Sequence, residues 1–496
     1  MSSKKYLIAI DQGTTSARTI LYDTLGREIK SSSCEVQINC PEDGYVEQCA
    51  NDIWSAQIKT INEVVSDIDL NEVDSIGITN QRETVICWDK ETGEPLAPAI
   101  VWQCRRSSEI CTELRKAGHE DFIKEQTGLV LDPYFSASKI KWLVENNDKV
   151  SAKVKLGKAI FGTVDSWIVY KLSGEVLTEP SNASRTMLYS IVDGKWSEKL
   201  LKIFGLDESM LPEVKPSFGN FSNAKIQGVE IPITGVLGDQ QSSLLGHACL
   251  EKGDIKCTFG TGAFLLSNTA DSIQRPSTGL LSTIAWTNNS TTFAIEGSVF
   301  MAGALISWLK KDLNLINEYS ELDGLLSQTK SSDGVVVVPA FTGLGAPYWN
   351  DHARGAVFGL TRASTKAHFA RACLEGVANC VADVLEDPCF KDSSSISIDG
   401  GMSKNPHFNQ ILADLTGREV ISSTISERTA RGAALAAAVG SSFYNSLESA
   451  VSEFKKVEEK EESVSKFSPN ISKQEKETLR SLWKKAVERS LDWAPS

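Results

Sequence analysis

Several signatures are missing from these 496 residues, and each absence removes a class of protein. No Gly-x-x-x-x-Gly-Lys-[Ser/Thr] run occurs, so the chain is no P-loop enzyme, and no protein-kinase catalytic set occurs either. Its glycine-rich turns lack the third glycine of a dinucleotide fingerprint. The eleven cysteines are odd in number, scattered and free of any Cys-x-x-Cys pair, which argues against a disulfide framework or a zinc site; the five dispersed histidines agree. Net charge is −13 with no dense basic tract, so no nucleic acid partner is expected. No run reaches the roughly 18 apolar residues of a spanning helix, so no membrane insertion is expected. The first strand begins too early to leave room for a signal peptide, and a reducing, cytoplasmic setting is expected.

What remains is an ordinary soluble composition, 41% hydrophobic and 23% charged, on a chain long enough for two or more large domains. The stretch 6–22 reads as a strand ending at Asp11, a turn Gly13-Thr14-Thr15-Ser16, and a second strand. Such a tip offers backbone N–H groups and hydroxyls to an anion, and a carboxylate at a strand end can hold a hydrated cation. The same residues also suit a plain hairpin with a polar turn.

Downstream, a helix is expected around 53–65, and a buried strand over 73–78 delivers Asn80-Gln81-Arg82-Glu83-Thr84 to a loop. Functional groups at strand ends are where α/β sheets place ligands. Arg82 and Glu83 read either as a surface ion pair or as a donor and acceptor for adjacent hydroxyls of a small polyol. Trp102 is either core or the apolar wall of a polyol site, and Tyr134, before a helix at 139–143, either caps a core or lends its phenol to the same ligand. Asp239, with Gln240 beside it, stands where a strand meets a helix, as an N-cap or as a carboxylate aimed across a cleft.

Near residue 248 the pattern restarts. A strand at 255–259, the turn Gly260-Thr261-Gly262 and a strand at 263–266 echo the opening hairpin. A long helix over about 368–385 and a strand at 396–398 lead to Asp399-Gly400-Gly401, a diglycine turn where backbone can approach a flat ligand. The charged stretch 455–462 reads as a solvated helix face. The expected organisation is a unit at 1–247 carrying the polyol residues and one phosphate hairpin, and a unit at 248–496 carrying the second hairpin and an adenosine site.

These blocks resemble the FGGY carbohydrate kinase family, whose fold is similar to the actin and Hsp70 ATPases. Tyr134-Phe-Ser-Ala-Ser-Lys-Ile-Lys-Trp142 and Gly355-Ala-Val-Phe-Gly-Leu360 carry the general likeness. The blocks 80–84, 102–106 and 132–134 resemble the glycerol-phosphorylating members. The resemblance implies an α/β fold of two actin-like (ribonuclease H-like) ATPase domains flanking a central cleft, with ATP and Mg²⁺ as cofactors and sn-glycerol 3-phosphate as product. It implies that Arg82, Glu83, Tyr134, Asp239 and Gln240 bind the hydroxyls of glycerol, that Trp102 and Phe264 wall its carbon side, and that Asp239 is the general base. For ATP it implies Gly13, Thr14, Thr15, Arg18, Thr261, Gly262, Gly303, Gly401 and Asn405, with Asp11 and Asp239 toward the metal. A homo-oligomer, dimer or tetramer, is implied by analogy alone. The alternatives are a kinase of another small polyol or ketose, and an actin-like or chaperone-like ATPase, which would leave Arg82, Glu83, Trp102 and Tyr134 without a task.

Overall fold

The computed structural model describes residues 4–391, 393–424, 427–461 and 464–494, and part of the charged stretch at 455–462 lies outside them. The first lobe grows from the opening hairpin, β1 (Tyr6–Gln12) and β2 (Ser16–Asp23), with Asp11 directly opposite Arg18. A third antiparallel strand, β3 (Glu28–Glu35), follows, then α1 (Ala50–Val65), which buries Ile53, Ile61, Val64 and Val65 at helical spacing. Strand β4 (Val73–Asn80) runs parallel to β1. After α2 (Ser136–Asn146) come the antiparallel β5 (Phe218–Ile226) and β6 (Val229–Gly238), giving the order β5-β6-β4-β1-β2-β3.

Register decides where chemistry can gather. Gln12 lies opposite Asn80, and Asn80 opposite Gly238, so three parallel strands finish at one level. From that edge leave the 13–15 turn, the loop with Arg82 and Glu83, and helix α3 (Asp239–Gly246).

The second lobe repeats the plan. It contains β7 (Ile255–Phe259), β8 (Ala263–Ala270), β9 (Leu281–Thr287), β10 (Thr291–Val299), helix α4 (Lys366–Leu385), β11 (Ser395–Gly400), α5 (Pro406–Thr416), β12 (Glu419–Ser423), α6 (Arg428–Gly440) and β13 (Val464–Phe467). The order β9-β10-β8-β7-β11-β12-β13 contains the first lobe's series of three antiparallel and two further parallel strands. Phe259 faces Gly400, so the 260–262 turn and the diglycine sit at the same end. The α/β class and the pair of actin-like domains expected from sequence are thus present.

Helix α6 joins the proposed units 1–247 and 248–496. Its alanines, from Ala430 to Ala438, are buried, and with Leu7, Ala9 and Ile20 of the first sheet and Leu266 and Ala285 of the second they form one core. The approach is close enough that a Cβ on Gly77 would lie 2.0 Å from the Ala433 carbonyl oxygen, and one on Gly432 would lie 1.8 Å from that of Ser242. Arg431 is buried with it, donating from Nη1 to Gly26 O at 2.9 Å and from Nη2 to Phe454 O at 2.8 Å. All eleven cysteines are free. Among the described residues no helix is long and apolar enough to cross a membrane.

Since the obstructing atoms are backbone, Gly77→Ala and Gly432→Ala should each destabilise the protein by more than about 2 kcal/mol in denaturant unfolding. Wild-type stability in both would contradict the close crossing of α6.

Candidate functional site

Beyond β4 the chain turns sharply. Glu83 holds a left-handed φ of 60°, an uncommon conformation for a residue with a side chain, and Ser136 Oγ donates to its carbonyl at 3.1 Å. The turn aims Arg82 and Glu83 into a buried ion network spanning both lobes. Arg82 Nη1 donates to Glu296 Oε2 at 2.5 Å and Nη2 to Glu296 Oε1 at 3.1 Å, while its Nε lies 3.2 Å from Asp239 Oδ1. Arg185 Nε donates to Glu83 Oε1 at 2.6 Å and its Nη2 to Glu296 Oε1 at 2.7 Å. The reading of Arg82 and Glu83 as a surface pair is overturned: both side chains are 2% exposed, they stand 3.9 Å apart, and each has closer partners elsewhere.

Burial acts against every carboxylate here, and the partners decide the outcome. Burial alone would raise the Glu296 carboxyl, but the guanidiniums of Arg185 and Arg82 hold it down at about 2. Glu83 and Asp239 are also pushed up by burial, and there the neighbouring cations compensate only in part, leaving each above its usual range. Asp239 is the first residue of α3, whose N-cap is Gly238, so it is not the N-cap that the strand-to-helix junction suggested.

The apolar side is a ring of edge-to-face contacts. Trp102 lies 5.6 Å from Tyr134 and 6.0 Å from Phe264 between centroids, and Phe300, at 6.5 Å from Tyr134, extends the wall. Trp102 Nε1 donates to Thr14 Oγ1 at 3.0 Å, tying this wall to the first glycine-threonine turn. The Tyr134 loop is fixed by Lys139, whose buried ammonium donates to the carbonyls of Pro133 and Tyr134, each at 2.6 Å, and of Phe135 at 3.2 Å.

The first glycine-threonine turn is tied down by local bonds. Gly13 N donates to Ser16 O at 2.9 Å, and Gln48 Nε2 to Thr14 O at 2.7 Å, which fixes the turn that carries Thr15. Arg18 on β2 pairs with Glu427 at the start of α6, across the cleft. Burial first, then the charges of Asp239 and Glu427, push the Asp11 carboxyl up to about 7. A cleft of about 860 Å³ opens in the second lobe, lined by Thr261, Gly303, Gly401 and Asn405 together with Trp308 and Phe408. Gly262 is not among its lining residues; it packs behind, where a Cβ would lie 2.5 Å from Val299 O. Asn405 caps α5, accepting from Phe408 N at 2.9 Å and donating to Asp323 Oδ1 at 2.6 Å. A Cβ on Gly401 would meet nothing within 4 Å.

The chain therefore brings Arg82, Glu83 and Asp239 into one ion network and Trp102, Tyr134 and Phe264 into one set of ring contacts, while Thr261, Gly303, Gly401 and Asn405 line the cleft of the second lobe. Gln240 follows Asp239 on α3, with its carboxamide oxygen taken by Lys256. Sequence reasoning missed Arg185, Glu296, Lys139, Lys256 and Phe300. For Glu296 a signal existed: it is a lone carboxylate inside the apolar run Ala294-Ile295-Glu296-Gly297.

Two actin-like lobes around a polar pocket and a nucleotide-sized cleft define a small-molecule kinase, and the chain belongs to the FGGY family of carbohydrate kinases. The family's N-terminal domain matches residues 6–246 and its C-terminal domain residues 255–441. A glycerol kinase of Oceanobacillus iheyensis is 44% identical over 98% of both chains, and one of Shewanella pealeana is 45% identical over 98% of this chain and all of its own. The crystal structure of Plasmodium falciparum glycerol kinase with ADP superposes with a TM-score of 0.89 at 35% identity, covering 98% of each chain. A xylulose kinase of Lactobacillus acidophilus, at 21% identity, a TM-score of 0.85 and coverage of 98% and 97%, shares the fold.

The network and the cleft each yield a test. The low Glu296 carboxyl stabilises the fold fully above its ordinary value of 4.5, and that share, roughly 3 kcal/mol, is lost as pH falls toward about 2. The stability gap between wild type and Glu296→Gln should therefore narrow as unfolding is measured at progressively lower pH through that window; a constant gap would contradict it. Gly401, at φ −61°, can accept a methyl group without backbone strain. Gly401→Ala should keep wild-type stability and lose about tenfold or more in ATP affinity by calorimetry; unchanged affinity would place the nucleotide elsewhere.

Proposed function

We propose that this chain is an ATP-dependent glycerol kinase, forming sn-glycerol 3-phosphate. The observation that carries the reading is the juxtaposition of Arg82, Glu83 and Asp239 against the ring of Trp102, Tyr134 and Phe264. A three-carbon triol needs dense donors and acceptors along one edge and apolar contact along the other, and this pocket supplies both. Buried groups that lose their hydroxyl partners penalise a substrate lacking one. The full-length likeness to proteins named glycerol kinase supports the same conclusion.

In this reading the terminal oxygen of glycerol attacks the γ-phosphorus of ATP in line, its new O–P bond forming as the bond to the ADP oxygen breaks. Its proton passes to the Asp239 carboxylate, which burial makes more basic than an ordinary aspartate. Arg82, held by Glu296, keeps that carboxylate in place. Backbone N–H groups of Thr14 and Thr15 and of the turn at 260–262 receive the phosphates, with Gly13, Arg18 and the Thr261 side chain beside them, and Gly303, Gly401 and Asn405 border the adenosine. Among the described residues no three carboxylates or imidazoles gather closely enough to ligate an ion directly, and Asp11, raised first by burial and then by the charges of Asp239 and Glu427, would with Asp239 hold a hydrated Mg²⁺. Such an ion would neutralise charge on the transferred phosphoryl group. The eleven free cysteines support a reducing, cytoplasmic setting.

ADP release should be strongly stimulated by glycerol and weakly by erythritol, xylulose or dihydroxyacetone; indifference to glycerol would overturn the proposal. Asp239→Asn should lower kcat by about 10²–10⁴-fold with KM for glycerol little changed, and near-normal turnover would remove Asp239 from the role of base.

A further inference from the structure

Lys256 is fully buried on β7, and neither the fold nor the reaction as described so far gives it a task. A lysine ammonium has three N–H donors and no acceptor, so any amide it touches must turn its oxygen toward it. Here that amide belongs to Gln240, whose Oε1 accepts from Lys256 Nζ, while a second donor reaches Thr258 Oγ1 at 3.1 Å. Gln240 is thereby denied its other rotamer. Its backbone N–H is already spent on Asp239 Oδ1, at 2.7 Å, and among the described residues no protein acceptor takes its Nε2. The free amino group belongs to the residue next to the Asp239 carboxylate.

We infer that Lys256 is a positioning residue that fixes substrate polarity at this pocket: by claiming the Gln240 oxygen it makes Gln240 present a donor, so that the adjoining substrate oxygen must accept. The inference rests on the assignment of glycerol as substrate. Donor and acceptor then alternate around the triol, with Arg82 and Gln240 donating and Glu83 and Asp239 accepting. A polyol hydroxyl can satisfy both kinds of neighbour at once, whereas a carbonyl oxygen can only accept and leaves the carboxylates without partners. The charges around Lys256 come from three elements and are balanced: Asp239 on α3, Asp399 on β11 and Arg82 at the end of β4, with His247 beside Asp399 at 3.4 Å. Burial pushes the Lys256 ammonium below the ordinary lysine range, with Asp399 and Asp239 acting against that shift and Arg82 adding to it.

The test is a double-mutant cycle read in KM for glycerol, KM for ATP and kcat. Lys256→Met should raise KM for glycerol by about tenfold or more, with KM for ATP within about twofold of wild type. Gln240→Leu should do the same, and Lys256→Met added to Gln240→Leu should change KM for glycerol no further. Gln240→Glu keeps an oxygen for Lys256 but replaces the donor by an acceptor, and should match Gln240→Leu. Additive effects in the cycle, or wild-type glycerol KM in Gln240→Glu, would overturn the inference. Should Lys256→Met fail to fold, Lys256→Gln, whose amide can turn either a donor or an acceptor toward Gln240, takes its place in the cycle with the same expected rise in KM for glycerol and the same non-additivity with Gln240→Leu. Glycerol-dependent ADP release by the wild type, run in parallel, keeps failure of this inference separate from failure of the substrate assignment.

Discussion

The grip of Arg82 and Arg185 on Glu296 is the constraint on which the site depends. A carboxylate at 0% exposure between two guanidiniums forms a unit that cannot be dismantled one member at a time, because each removal leaves a buried charge without its partner, at a cost of about 3–5 kcal/mol. Two of its members come from the first lobe and Glu296 from β10 of the second, so the same contacts that hold the lobes in register also set the direction of Arg82 toward Asp239.

Around that unit the two halves of the molecule make different kinds of room. The ring of Trp102, Tyr134 and Phe264 lies where the lobes share a core: Leu281, Ile284 and Phe293 of the second sheet pack in one cluster with Tyr134 and Phe135 of the first lobe. The 860 Å³ cleft lies in the second lobe, bordered by glycines whose missing side chains either allow backbone to cross backbone, as at Gly303, or leave open space, as at Gly401. Helix α6 completes the arrangement. It can sit between the sheets only because its inward residues are alanine and the strands beneath it offer Gly77 and Gly235.

Much of this was legible in the sequence where the signal was local. Both glycine-threonine hairpins, the strand ends delivering Arg82 and Asp239, and the helix after Tyr134 follow from alternation, helical spacing and turn residues that any window of ten residues contains. What was hidden depends on partners far away along the chain. Arg185 sits in a short irregular segment with no periodicity to mark it, and its partner Glu296 is 111 residues distant. Lys139 and Lys256 are buried lysines, which the rule that charged residues face solvent assigns to the surface; only the carbonyls and amide that receive them reveal the reason. Asn405 combines the cleft lining with a helix cap, a local role the sequence Asn405-Pro406 also encodes.

A rigid array of this kind makes a commitment that a loose polar pocket would not. Glycerol has two enantiotopic terminal hydroxymethyl groups, and under the proposed function fixed donors and acceptors on one side of the carbon chain would bring only one of them to the attacking position. The most direct measurement is therefore the enantiomeric composition of the glycerol phosphate formed from glycerol and ATP, resolved by chiral chromatography. The account predicts a single product, sn-glycerol 3-phosphate. A racemic mixture, or ATP consumed with no glycerol phosphate formed, would contradict it.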